Sequence, residues 1–215
     1  MSLFDTNALN EFYTRISVTN GMSIADFQGI LRGLFERSRS GDDLNNYRLS
    51  KQPWKKLADE VTPVSRFLQF RGVDSGRIRF PLDNHPPDCW LWKANGGEPL
   101  GMEVTIAQAT ERHHLKKELV DKGRGRGFIG VSDDAPRVDF NRAMSKQRVM
   151  YTTDHALSAI RDGILRCLSR KNKPKYTGFN LLIEAPLRSL PQERWEAIMI
   201  DLRTAQHIFL SAKYM

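Results

Sequence analysis

Pro86-Pro87-Asp88-Cys89-Trp90-Leu91-Trp92, followed by Asn95-Gly96-Gly97 and then by Leu100-Gly101-Met102-Glu103-Val104-Thr105-Ile106, is the stretch on which the reading of this chain turns. Two short apolar runs flank a turn of asparagine and glycines, the local signature of a β-hairpin. Asp88 opens the first run and Glu103 sits inside the second, so the hairpin brings two carboxylates onto neighbouring strands. Acids held that close repel one another unless a cation lies between them. A divalent ion such as Mg2+ or Mn2+ is suited to that place, because it takes one or two carboxylates, keeps part of its water shell and leaves positions open for a phosphate.

Outward from the hairpin, the pattern alternates helices and short strands. Residues 5–38 carry two helical stripes, Ala8, Leu9, Phe12 and Ile16, then Ile24, Phe27, Ile30, Leu31 and Leu34, broken at Thr19-Asn20-Gly21. The polar, glycine-bearing segment 37–46 reads as a loop or a hinge. Trp54, Leu57, Val61, Val64, Phe67 and Leu68 mark a helix that Pro63 kinks or restarts, with Glu60 turned away from much of the stripe. Extended stretches at 77–82, 88–93 and 100–106 form a meander. Helices are expected at 107–122, ending at Gly123, at 153–169 and at 191–204, with a basic helical or irregular stretch at 139–150. The apolar run 178–186 suits a strand in the middle of a mixed sheet, and 207–214 a terminal strand. The resulting expectation is an α/β protein, a mixed central β-sheet flanked by helices on both faces. Residues 1–50 form a helical extension packed on a core of 51–215, a single domain overall.

Composition narrows the partners. The 215 residues are 40% hydrophobic and 27% charged, ordinary for a globular chain, but 33 Lys and Arg against 25 Asp and Glu give a net charge of +8. An excess of that sign suits a surface that meets a polyanion. Cys89 and Cys167 lie in apolar patterns and read as small core residues of a reducing compartment, so neither a disulfide framework nor a zinc site is expected. No apolar run approaches the roughly 18 residues of a membrane span and no basic-then-apolar leader is present, which predicts a cytoplasmic protein without a membrane partner. The sequence holds neither a Gly-x-Ser-x-Gly elbow nor a phosphate-binding Gly-x-x-x-x-Gly-Lys loop, which disfavours serine hydrolase and nucleotide-driven chemistry.

The order helix with Glu60, strand, Pro87-Asp88, hairpin, Glu103-Val104-Thr105, helix resembles the PD-(D/E)XK nuclease superfamily with its restriction-endonuclease-like fold, over about residues 54–185. The resemblance implies a metal-dependent nuclease, acting on nucleic acid and in particular DNA, with Asp88 and Glu103 as metal ligands, Glu60 placing or deprotonating the attacking water, and a homodimer where both strands are cut. Thr105 stands where the superfamily most often has lysine, and its neutral hydroxyl supplies no charge. Gln108, Lys116 and Lys117 on the following helix are the candidates to reach the site instead, with Gln108 favoured for orienting water or phosphate. Phosphates are expected to meet Lys116, Lys117, Arg124 and Arg126 in their glycine-rich loop, and Arg142, Lys146 and Arg148 beyond it; the Arg170, Lys171, Lys173, Lys175 cluster suits a helix C-terminus. His113 and His114 point about 100° apart on their helix, so they do not grip one ion together. The alternative is a binding or interaction module on the same fold that does not cleave, which Thr105 favours.

Overall fold

Residues 3–147, 151–186 and 192–206 are described by the computed structural model. They divide into two compact units: the first holds the described residues up to Thr105 together with Lys175–Leu182, and the second holds Ile106–Pro174 and the described residues from Ile183 onward.

In the first unit, α1 (Thr6–Ile16) and α2 (Ile24–Glu36) fall where their stripes predict, and each starts at a side-chain cap. Asp5 Oδ1 accepts from Ala8 N at 2.9 Å, and Ser23 Oγ accepts from Asp26 N at 3.0 Å. A third helix, α3 (Gly41–Arg48), replaces the loop expected over 37–46. Its signal is Ser40-Gly-Asp-Asp43: Ser40 Oγ accepts from Asp43 N at 3.0 Å and donates to the Asp43 carboxylate at 2.6 Å, a cap strong enough to start a helix in a polar segment. Next come one π-helical turn, Leu57–Val61, and α4 (Thr62–Phe70). Pro63 has no N–H for the carbonyl of Asp59 and its ring crowds that carbonyl, so the helix widens for a turn and the Thr62 N–H bonds to Leu57 O.

Two residues, Met22–Ser23, form β1, which the sequence reading lacked. β2 (Arg77–Arg79), β3 (Cys89–Trp92) and β4 (Leu100–Ile106) make the expected meander, each pair antiparallel, with Ile78 opposite Leu91 and Cys89 opposite Met102. β5 (Asn180–Glu184) completes a sheet ordered β1-β2-β3-β4-β5. Asn180 Nδ2 donates to Gly101 O and Ala107 N to Glu184 O, so residue numbers rise together along β4 and β5 and the sheet is mixed. The protein is thus α/β. Among the described residues β5 is the last strand and is half-buried along its length, not the sheet's middle as its apolar run suggests. The expected strand at 207–214 lies outside the described residues.

Phe12, Ile16, Phe27 and Leu31 from the N-terminal helices share one buried cluster with Trp54, Val64, Ile78, Phe80, Cys89 and Met102. At about 1.5–3 kcal/mol for each large apolar side chain taken fully from water, this cluster supplies most of the first unit's cohesion. Gly101 serves a tighter purpose. A Cβ there would stand 2.5 Å from the Phe179 ring and 3.0 Å from Pro87, which fixes Phe179 edge-on to Trp90 beside the strand that carries Glu103. Gly101→Val is expected to lower stability by about 1–3 kcal/mol through overpacking, read as a lower urea midpoint at unchanged slope.

The second unit contains α5 (Ala109–Lys122), α6 (Arg137–Ser145), α7 (Thr153–Lys171) and α8 (Gln192–Gln206). α5 ends on Gly123 at φ 69°, a left-handed cap that glycine takes at no steric cost. Its start is capped from a distance, with the Asp133 carboxylate accepting from Ala109 N at 2.9 Å and Thr110 N at 3.0 Å. Leu157 on α7 packs with Ile198 and Leu202 on α8. No described helix is long and apolar enough to cross a membrane.

Candidate functional site

The antiparallel register at Cys89 and Met102, continued by one residue, sets Asp88 opposite Glu103. Directly opposed residues of an antiparallel pair project to the same face. The backbone confirms the closeness: Asp88 Oδ2 accepts from Val104 N at 2.7 Å, which fixes the carboxylate against β4. Asp88 is half-buried, and Glu103 is 7% exposed. The hairpin therefore places its two acids opposite one another, Asp88 half-buried and Glu103 buried.

Glu60 joins them from the π-helical turn. That turn is pinned at its start by the half-buried Tyr13, whose hydroxyl accepts from Leu57 N at 2.9 Å and donates to Pro53 O at 3.0 Å. Burial, and after it the backbone and the Glu60 charge, act on this phenol, with the net effect of raising its pKa. Burial pushes the Glu60 carboxyl from 4.5 up to about 7, the Asp88 charge adds to the rise, and the Lys56 ammonium opposes it. The Cys89 thiol registers all three acids. It is driven up first by complete burial and then by the charges of Asp88, Glu60 and Glu103 in turn. The helix acid and both strand acids each act on the Cys89 thiol, and all three belong to the first unit.

No family model, curated protein or solved structure matches the chain.

The arrangement is that of two neighbouring strand carboxylates with a third acid whose pKa is raised to about 7. Among the described residues no group of three or more His, Cys, Asp or Glu side chains is drawn to a common ligating point. Asp88 and Glu103, opposed across the hairpin, are the pair of carboxylates that could hold a divalent ion.

Sequence reasoning missed Lys56. Its ammonium lies 3.4 Å from Glu60 Oε1 and 3.5 Å from Oε2 and donates to Asp83 O, with about four-fifths of the side chain covered. The signal was available as Lys56 and Glu60 at i and i+4, but Lys55 and Asp59 share that spacing and pair on the exposed side, so spacing alone did not single out the inner pair.

The remaining candidates belong to the second unit. Gln108 takes a left-handed backbone (φ 57°) and is 1% exposed, and neither side-chain amide atom has a hydrogen-bond partner among the described residues. Gly163 on α7 makes room for it, since a Cβ there would stand 3.1 Å from Gln108 Cγ. Lys116 is half-buried, and Lys117 is exposed and pairs with Asp121 at 2.9 Å. Arg124 is exposed on the glycine loop, Arg142 pairs with Asp139 at 3.4 Å, Lys146 is exposed, and Arg148 lies outside the described residues. Arg126 differs from its neighbour Arg124: its guanidinium is engaged by both Glu118 oxygens and by the carbonyls of Ala143 and Met144. His114 stacks on Phe140 at 4.9 Å between ring centres, a packing role, while His113 and His85 are exposed.

Proposed function

We propose that the protein is a metal-dependent nuclease, hydrolysing phosphodiester bonds of nucleic acid and in particular of DNA, on a restriction-endonuclease-like fold of the PD-(D/E)XK kind. The observation that carries the reading is the pair of carboxylates, Asp88 and Glu103, set opposite each other across β3 and β4, with Glu60 close enough for the Asp88 charge to add to its raised pKa. Like charges held close favour a bound cation, and strongly shifted pKa values mark places where acid-base work is done. The meander followed by helices and a strand parallel to β4 agrees with the same fold.

In this mechanism Asp88 and Glu103 would hold a Mg2+ or Mn2+ ion, which would supply positive charge and lower the pKa of a bound water. Glu60 accepts the proton of the attacking water as the oxygen adds to phosphorus, and the bond to the leaving oxygen breaks with that oxygen taking up a proton from solvent. A base near pKa 7 suits the task, because it is half ionised at neutral pH yet still basic. Lys56 holds the Glu60 carboxylate in place and offsets part of the charge for which Thr105 offers none. The net charge of +8 draws the polyanion in.

Purified protein incubated with DNA and Mg2+ tests the reading. Cleavage should appear with metal, vanish in EDTA and fall by about 10³-fold or more in Asp88→Ala and Glu103→Ala. Equal activity in the wild type and either variant would reject the assignment. The second reading, a nucleic-acid-binding module that does not cut, is favoured by Thr105; a gel shift that survives EDTA, with no cleavage under any divalent ion, decides for it.

A further inference from the structure

A cavity of about 250 Å³ opens where the end of α4 meets the β3–β4 hairpin, wholly within the first unit. Its floor is apolar and closed: Ile24 at the start of α2 and Leu68 on α4 are each 2% exposed, and Leu91 on β3 is 8% exposed. The backbone there is already engaged. Ile24 N donates to Gly76 O at 3.1 Å, Val73 N donates to Leu68 O at 2.9 Å, and Leu91 pairs across the sheet with Ile78. The only lining hydroxyl belongs to Ser75, which is exposed, so nothing in the depth favours a polar group. The rim is cationic. Arg71, just past α4, and Lys93, just past β3, are both exposed, neither joins an ion pair among the described residues, and no described Asp or Glu lines the cavity.

A lining of two kinds calls for a molecule of two kinds. Buried apolar side chains with no free hydrogen-bonding group among them take a hydrocarbon chain and penalise any polar atom carried in. Two cations with no acid in the lining favour an anionic head held at the water's edge, where a guanidinium meets a carboxylate with two parallel bonds and an ammonium adds a point charge. The size sets the chain length. At the roughly 30 Å³ that a water, a group of methylene size, takes in the liquid, the cavity holds about eight carbons. We propose that this cavity binds a medium-chain fatty acid, its tail over Ile24, Leu68 and Leu91 and its carboxylate at Arg71 and Lys93. The proposal stands apart from the nuclease reading, because it uses no residue of that site and needs no metal.

Calorimetric titration of the full chain with sodium octanoate, in EDTA at pH 8 and low ionic strength, tests it, with hexanoate, 1-octanol and phosphatidylglycerol vesicles titrated alongside. Saturable octanoate binding is expected, with a Kd of about 1 mM or tighter. Hexanoate should bind about 15-fold more weakly, since each buried methylene is worth about fourfold. 1-Octanol, the same tail without the charge, should bind at least about fivefold more weakly. Arg71→Glu combined with Lys93→Glu, two exposed positions, should weaken octanoate by about tenfold or more. Arg15→Glu combined with Arg32→Glu, an equal change of charge at exposed positions outside the cavity lining, should leave it within about twofold. No saturable binding up to about 10 mM octanoate, hexanoate or 1-octanol binding as tightly, or an equal effect of the two double variants overturns the proposal. Binding to the vesicles without binding to octanoate overturns it as well, and assigns the cationic rim to a membrane surface. Failure of DNA cleavage with intact octanoate binding would reject the nuclease reading alone.

Discussion

At pH 8 and without divalent metal, Glu60→Gln is expected to make the protein more stable than wild type, by on the order of 2 kcal/mol at 1.36 kcal/mol per unit of pKa shift. The carboxyl rises from 4.5 to about 7 on folding, chiefly through burial and then through the Asp88 charge. Between those two values the native state holds a proton that the unfolded chain has released. Stability is therefore fully present below about 4.5 and is lost as pH rises through about 7, and glutamine removes that loss. Glu111, also raised by burial, and His114, lowered by it, titrate in the second unit, so the difference between wild type and variant is the quantity to follow. The measurement is urea unfolding of both proteins from pH 4 to pH 9. A difference that stays flat across that range would sink the assignment of Glu60 as the high-pKa acid.

Two companion results belong to the same experiment. Lys56→Met removes the nearest influence that lowers Glu60, so the loss of stability should move to higher pH. Under the proposed mechanism, Glu60→Gln should also slow cleavage by about 10²–10⁴-fold, the usual contribution of a positioned base, and erase the alkaline rise of the rate. A stabilised apoprotein that cleaves poorly is the signature of a site whose charge is kept for function at a cost in stability.

The hairpin chemistry was readable because it is local. Asp88, the Asn-Gly-Gly turn and Glu103 lie within one meander, and strand register follows from the turn and the apolar alternation. Gly123 and the stripe of α7 were readable for the same reason. What escaped depended on neighbours distant in sequence. α3 looked like a loop because its composition is polar, and only the Ser40-Asp43 reciprocal cap reveals it. β5 looked central because Leu181, Leu182 and Ile183 are all apolar, yet strand order is set by which edge the chain returns to, and that has no signature in a five-residue run. Arg124 and Arg126 are identical by composition, both flanked by glycine, and only the fold separates an exposed cation from one enclosed by a carboxylate and two carbonyls.

That separation carries the other large effect. Arg126→Ala is expected to destabilise the second unit by about 3 kcal/mol, because the Glu118 side chain, 7% exposed, would lose its principal partner. Arg126 Nη2 bonds Glu118 Oε1 at 2.9 Å, its Nε lies 3.1 Å from both oxygens, its backbone N–H adds a further bond at 3.2 Å, and Nη1 and Nη2 hold the C-terminal carbonyls Ala143 O and Met144 O of α6. The bonds from Arg126 hold the Glu118 carboxyl down from 4.5 to about 2. The pair's contribution is thus present above 4.5 and is lost as pH falls through about 2, so the gap between wild type and Arg126→Ala in urea unfolding should be widest at neutral pH and close in acid. A gap of the same size at pH 2 and pH 7 would show that the ion pair is not its source. Arg124→Ala should do the reverse, leaving stability within about 0.5 kcal/mol while lowering the salt dependence of nucleic-acid binding by about one phosphate contact. If instead Arg126→Ala leaves the urea midpoint in place and weakens nucleic-acid binding as Arg124→Ala does, the buried network around Glu118 is not what holds α5, the glycine loop and α6 together.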